Sequence, residues 1–162
     1  MANPGISDSI LSTAAALFAE YGVRGTSLGE IAKQVKISKG TLSYYYPAKQ
    51  DIVNAVAEQT FRSIGDRIFG WVDTVSRDED PALVLERLCD ALLGDNELLR
   101  VFISINGSTE PGSEIESLID HAMTEWNVML EVGILRMQPA VADRMKRILA
   151  AILPFMCGLA AM

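Results

Sequence analysis

Residues 27 to 49, Ser-Leu-Gly-Glu-Ile-Ala-Lys-Gln-Val-Lys-Ile-Ser-Lys-Gly-Thr-Leu-Ser-Tyr-Tyr-Tyr-Pro-Ala-Lys, hold the side chains of this chain whose chemical use is plainest. Lys33, Lys36, Lys39 and Lys49 fall within seventeen residues, a local basic patch suited to phosphate. The run Ser38-Lys39-Gly40-Thr41 opens a predicted helix, whose free backbone amides and positive dipole end favour an anion. Gly40 has no side chain to hold the backbone away. Lys39, Thr41, Ser43 and Tyr44 share a polar outward face, while Ile37 and Leu42 point inward as anchors. Tyr45 and Tyr46 add hydroxyls, and Lys49 adds a charge at the start of the next helix. The chemistry these residues imply is binding of duplex DNA: a helix fits the major groove, its first turns can reach base edges, and flanking groups can hold phosphates.

Positioning that helix requires a small helical head. Ile10, Leu11, Ala14, Leu17, Phe18 and Tyr21 recur at three and four, giving a first helix from about 7 to 21 that Gly22 closes. Ser27 with Glu30 is a capping box opening a second helix to about Val35. Ser38 caps a third to about Tyr45, and Pro47 ends it. A long fourth helix spans about 48–75, with a buried stripe at Ile52, Val53, Val56, Phe61, Ile64, Ile68, Trp71, Val72 and Val75. Gly65 and Gly70 inside it predict a bend or a close neighbour. Arg77 to Pro81 is a solvated break. Helices are predicted over 82–93, 96–105, 114–136 and 140–161, with a loop at 106–113. No segment alternates with period two for long, so the fold class is all-α: a three-helix head at 1–47 and a helical body at 48–162.

Charge is divided along the chain. The net charge is −7, which alone argues against a nucleic-acid binder. Residues 1–50 carry five basic side chains against three acidic, and residues 51–162 carry nine against eighteen. An acidic body would repel DNA and so help turn the basic head toward it. Apolar residues make up 49% and charged residues 22%, as in ordinary soluble globular proteins. The polar start Met-Ala-Asn-Pro-Gly does not read as a secretion signal, and the run from Ile148 to Met162 is too short for a bilayer span, so the expected location is the cytoplasm. Cys89 and Cys157 are expected to be buried free thiols.

The head resembles the tetracycline-repressor (TetR) family of bacterial transcription regulators over about residues 6–60. The matching residues are Phe18 to Gly22, Thr26-Ser27 with Ile31-Ala32, then Ile37-Ser38-Lys39-Gly40-Thr41-Leu42, Tyr44 to Tyr46, and Lys49. The resemblance implies phosphate contacts from Thr41, Tyr45 and Lys49, and capping with phosphate contact from Ser27. It implies approach to base edges by Lys39 and Tyr44. With Lys36, Ser38, Gly40 and Ser43 these complete the expected DNA-binding set. Three positions depart from the family pattern. Ser43 replaces a tyrosine and weakens or removes one phosphate contact, Tyr46 adds a hydroxyl to a core ring, and Lys36 replaces a turn glycine and so has to take positive φ.

The same resemblance implies a body that dimerises, reads a palindromic operator with two heads about 34 Å apart, and lets a small molecule change that spacing. Its pocket is expected among Phe61, Phe69, Trp71, Phe102, Met123, Trp126 and Met129. His121, the only histidine, stands in the same set, although a packed or surface position is its ordinary reading. So many rings suit an apolar or aromatic effector. Met145, Ile148, Leu149, Ile152 and Met156 are expected to form the dimer face. The uncapped apolar end at Gly158 to Met162 fits either a short family member or a body that continues further. No cofactor or metal is expected, since no metal-spaced cluster, phosphate loop or nucleophile–base grouping occurs in the sequence. An enzyme is therefore the poorer reading. A helical DNA-binding or partner-binding protein without an effector is the alternative.

Overall fold

The computed structural model describes residues 4–156, with side-chain surroundings for residues 5–150. Eight helices account for the regular structure among them: α1 Pro4–Gly25, α2 Leu28–Val35, α3 Lys39–Tyr45, α4 Lys49–Thr74, α5 Pro81–Leu93, α6 Asn96–Asn106, α7 Glu114–Leu135 and α8 Pro139–Met156. The predicted bounds hold within a few residues except at two ends. α1 starts earlier and carries a kink at Gly22 (φ 78°, ψ 159°) before one further turn, a backbone that glycine reaches without a Cβ clash. The predicted end of the last helix lies outside the described residues.

The chain divides into two compact units. The first runs through Thr60 and takes in Glu97–Glu116. Its core is built on Ile10, Ala14, Phe18, Ile31, Leu42, Ile52, Val56, Phe102 and Ile105, each almost fully removed from water. The sequence placed Tyr21 on the same stripe as Phe18. Instead it is 59% exposed, at the last residue before the Gly22 kink.

The second unit holds Phe61–Asn96 and the residues from Ser117 on. All nine residues of the stripe predicted over 48–75 are buried, eight of them on α4 and Val75 just past its end. In the second unit α4 meets α7 through two glycines. A Cβ on Gly65 would lie 3.2 Å from the Trp126 indole nitrogen, and one on Gly133 would overlap the six-membered ring of Trp71. Trp71 Nε1 donates to the Val84 carbonyl at 3.0 Å, which ties α4 to α5. Gly70 has open space beside it. Arg87 grips Glu79 with two 2.6 Å bonds, and that hydrogen bonding holds the Glu79 carboxyl below its ordinary range. Cys89 is a half-buried free thiol, and Cys157 lies outside the described residues. No helix among the described residues is long and apolar enough to cross a membrane.

Candidate nucleic-acid interface

The α2–α3 pair is assembled by local hydrogen bonds that its sequence spells out. Ser27 accepts from the Glu30 amide at 3.2 Å while the Glu30 carboxylate accepts from the Ser27 amide at 2.7 Å, closing the capping box. These Ser27 bonds lower the Glu30 pKa, aided weakly by Lys49 and Lys33 and opposed by desolvation. A carboxyl depressed in the folded state contributes stability above its unfolded pKa and loses it as pH falls through the folded value. Glu30→Gln keeps an acceptor for the box but cannot titrate. The stability advantage of the natural chain over Glu30→Gln, followed by thermal unfolding, is therefore expected to shrink between neutral and strongly acidic pH. An advantage unchanged with pH would count against the carboxylate.

The turn between the helices closes at Lys36, with φ 61° and ψ 40°, as the replacement of the usual turn glycine required. Its amide reaches the carbonyls of Ala32 and Lys33. A left-handed conformation costs an L-residue roughly 1–2 kcal/mol, partly offset in glycine by a larger unfolded-state entropy. Lys36→Gly is expected to raise the melting temperature by roughly 1–4 °C. A lower melting temperature would show that the lysine side chain makes contacts worth more than the strain.

α3 then starts at Ser38, whose hydroxyl oxygen accepts from the Thr41 amide at 2.9 Å and lies 2.8 Å from the Thr41 hydroxyl. Leu42 is 1% exposed and pins the helix to the first unit, whereas Tyr44 is 70% exposed. Ser38, Lys39, Gly40 and Ser43 also face solvent. Lys39 Cε lies 3.2 Å from where a Gly29 Cβ would sit, so the lysine stem lies over the first turn of α2. Tyr45 is half-buried and meets the Tyr44 ring edge-on at 5.5 Å. Ser27, Lys36, Ser38, Lys39, Gly40, Ser43 and Tyr44 are thus each exposed, and Thr41 is half-buried.

Two further arrangements were not legible in the sequence. Tyr46 Oη lies 2.9 Å from Ser7 Oγ, so the added hydroxyl links the end of α3 to the start of α1. Lys49 Nζ donates to the Val23 carbonyl at 2.5 Å, and the Val23 amide donates to Ser104 Oγ at 2.8 Å. Lys49 thus braces the start of α4 on the end of α1. No local pattern flags these pairs, which are separated by 26 to 81 residues.

Residues 10–56 match the family described as "Bacterial regulatory proteins, tetR family". The head of this chain is therefore tetR-like. The match runs from within α1 to the first turns of α4 and so includes Ser27 to Lys49. One relative is IcaR of Staphylococcus epidermidis, the HTH-type negative transcriptional regulator of the biofilm operon icaADBC. It is 26% identical over 134 residues, covering 80% of this chain and 67% of IcaR. AcrR of Shigella flexneri, an HTH-type transcriptional regulator, is 37% identical over 57 residues, or 35% of this chain and 26% of AcrR. YuxN of Bacillus subtilis is 42% identical over 59 residues, spanning 20% of YuxN. Among solved structures, a protein of Saccharomonospora viridis described as a transcriptional regulator, crystallised with choline, superposes with a TM-score of 0.77. It is 22% identical, with 97% of this chain and 84% of that one covered. A regulator of Aquifex aeolicus gives a TM-score of 0.63 at 24% identity, covering 96% and 84%. At these identities the two structures establish the shared tetR-type fold.

The body residues named from the sequence take several different surroundings among the described residues. Phe61 and Trp126 pack edge to face at 6.1 Å, and Trp71 is buried against Val84 and Gly133. Phe102 belongs to the first unit. Met123 and Met129 are half-buried. Phe69 is 57% exposed, and His121 projects into solvent beside Glu125 at 3.5 Å, since both stand on the outer sides of their helices. Of the five expected dimer residues, Met145 and Leu149 are already buried within the chain and Ile148 is half-buried. The side chains of Ile152 and Met156 lie outside the described residues.

Proposed function

We propose that this chain is a tetR-family DNA-binding transcriptional repressor that acts as a homodimer on a palindromic operator. The observation that carries the reading is the two-sided third helix: Leu42 sealed in the core, and Lys39, Gly40, Ser43 and Tyr44 turned to water. Lys39 and Tyr44 approach base edges, Ser27, Thr41, Tyr45 and Lys49 hold the backbone, and Lys36, Ser38, Gly40 and Ser43 complete the DNA-facing set. The negative regulator IcaR favours repression over activation.

Selection of bound duplexes from a random pool tests this directly. A palindrome with half-sites about one helical turn apart is expected, together with a solution mass twice the 17.6 kDa of one chain. Enrichment of no sequence, or of one without twofold symmetry, overturns the reading. Lys49→Ala has two separable outcomes. Loss of a phosphate contact makes the salt dependence of binding shallower by about one unit per contact. Loss of the Val23 brace alone weakens binding at an unchanged slope.

An effector that releases the operator belongs to the same proposal. The S. viridis protein is crystallised with choline, and aromatic faces attract quaternary ammonium groups. Choline and small apolar or aromatic compounds are the first probes, read by thermal shift and by operator release. The tight α4–α7 seam around Trp71 and Trp126 favours the second reading, a regulator without an effector. Stabilisation by no probe would select it.

A further inference from the structure

In the first unit, the end of α1 and the passing face of α6 enclose an open groove of about 400 Å³, within the range of small-molecule sites. The Gly22 kink and Gly107 create its concavity, since neither carries a side chain. Phe18 and Val23 form a buried apolar floor, while Tyr21 and Ile103, 59% and 63% exposed, leave large apolar walls in water. Arg24 and Arg100 line the same groove. Both are exposed, and neither has a partner among the described residues. Arg67, Arg87 and Arg136 differ in being ion-paired. Ser104 accepts the Val23 amide, which leaves its own hydroxyl hydrogen free to donate. The nearby acid, Glu20, is hydrogen-bonded by the Tyr21 hydroxyl, and this raises the tyrosine pKa.

We infer that this groove binds a small amphipathic organic acid, with one carboxylate on an aromatic or branched apolar body. Arg24 and Arg100 receive the carboxylate, helped by the Ser104 hydroxyl, because guanidinium forks match carboxylate geometry. Tyr21 and Ile103 cover the apolar body. A purely apolar ligand would leave the two cations without a role, and a simple inorganic anion would leave both walls uncovered. The site stands independently of the operator reading, although its occupant would touch the Val23 peptide that also receives Lys49.

The test titrates the full chain with 3-phenylpropionate and with its uncharged amide, following backbone amide resonances. The acid is expected to shift residues 21–25 and 100–108. Its dissociation constant is expected to rise about tenfold or more in Arg24→Gln/Arg100→Gln, and the amide is expected to bind weaker than the acid by a similar factor. Ile103→Glu keeps both arginines but places a like charge on the wall, and is expected to abolish binding of the acid. Equal binding of acid and amide, an unaffected double variant, shifts confined to other residues, or no shift at millimolar ligand would each overturn the inference. A double variant with a shallower salt dependence for duplex DNA and no acid binding in the natural chain would do the same, making the arginines phosphate contacts.

Discussion

Gly133→Ala should lower the melting temperature by roughly 5–10 °C, even though alanine is the better helix former by about 1 kcal/mol. The Cβ it adds would overlap the Trp71 ring. That ring is 3% exposed and its Nε1 is committed to the Val84 carbonyl, so it cannot swing aside without losing a bond. Overpacking a tight core costs about 1–3 kcal/mol, and a stranded buried donor about as much again. Together these exceed the propensity gain, and each kcal/mol is worth roughly 2–4 °C in a domain of this size. A double cycle with Trp71→Phe checks the cause. The smaller ring vacates the overlapping volume, so the alanine should cost much less in that background. An unchanged or higher melting temperature for Gly133→Ala alone would remove the seam from the account of the second unit's stability.

The second large effect is on DNA. Lys39→Ala/Tyr44→Ala should weaken operator binding by about thirtyfold or more, with a smaller loss on random duplex. Each good base contact is worth about 1–3 kcal/mol of discrimination, and a symmetric pair of heads doubles the loss. Both side chains project into solvent, so the fold should survive and the melting temperature should barely change. Titration of labelled operator against random duplex measures the ratio. Tyr44→Phe separates the hydroxyl from the ring. Operator affinity within about threefold of the natural chain would mean that α3 reads DNA through other residues, or not at all.

Local rules account for what could be read in advance. Ser27 and Glu30, three residues apart, close a box whose every bond is within one turn. Ser38 caps α3 for the same reason. Lys36 was marked by the absence of glycine where the turn needs positive φ, and it takes that conformation. The stripe along α4 was legible because burial repeats with the helical period. In the body, spacing alone decides less, for an equally physical reason. An aromatic residue at helical spacing looks the same whether it lines a cavity, fills a seam like Trp126, or faces water like Phe69. Which of these holds depends on the partner helix, and nothing local reports that partner.

Sequence alone determined the helices, their caps, the strained turn at Lys36 and the polar face of α3, because each follows from interactions within a few residues. Tertiary structure decided the rest. It gave Lys49 and Ser104 a common partner in Val23, bonded Tyr46 to Ser7, and pressed Trp71 against Gly133. It also left Arg24 and Arg100 without a partner among the described residues, beside an apolar groove. Those outcomes depend on segments up to 81 residues apart meeting at ångström distances, and only packing of the whole core sets such distances.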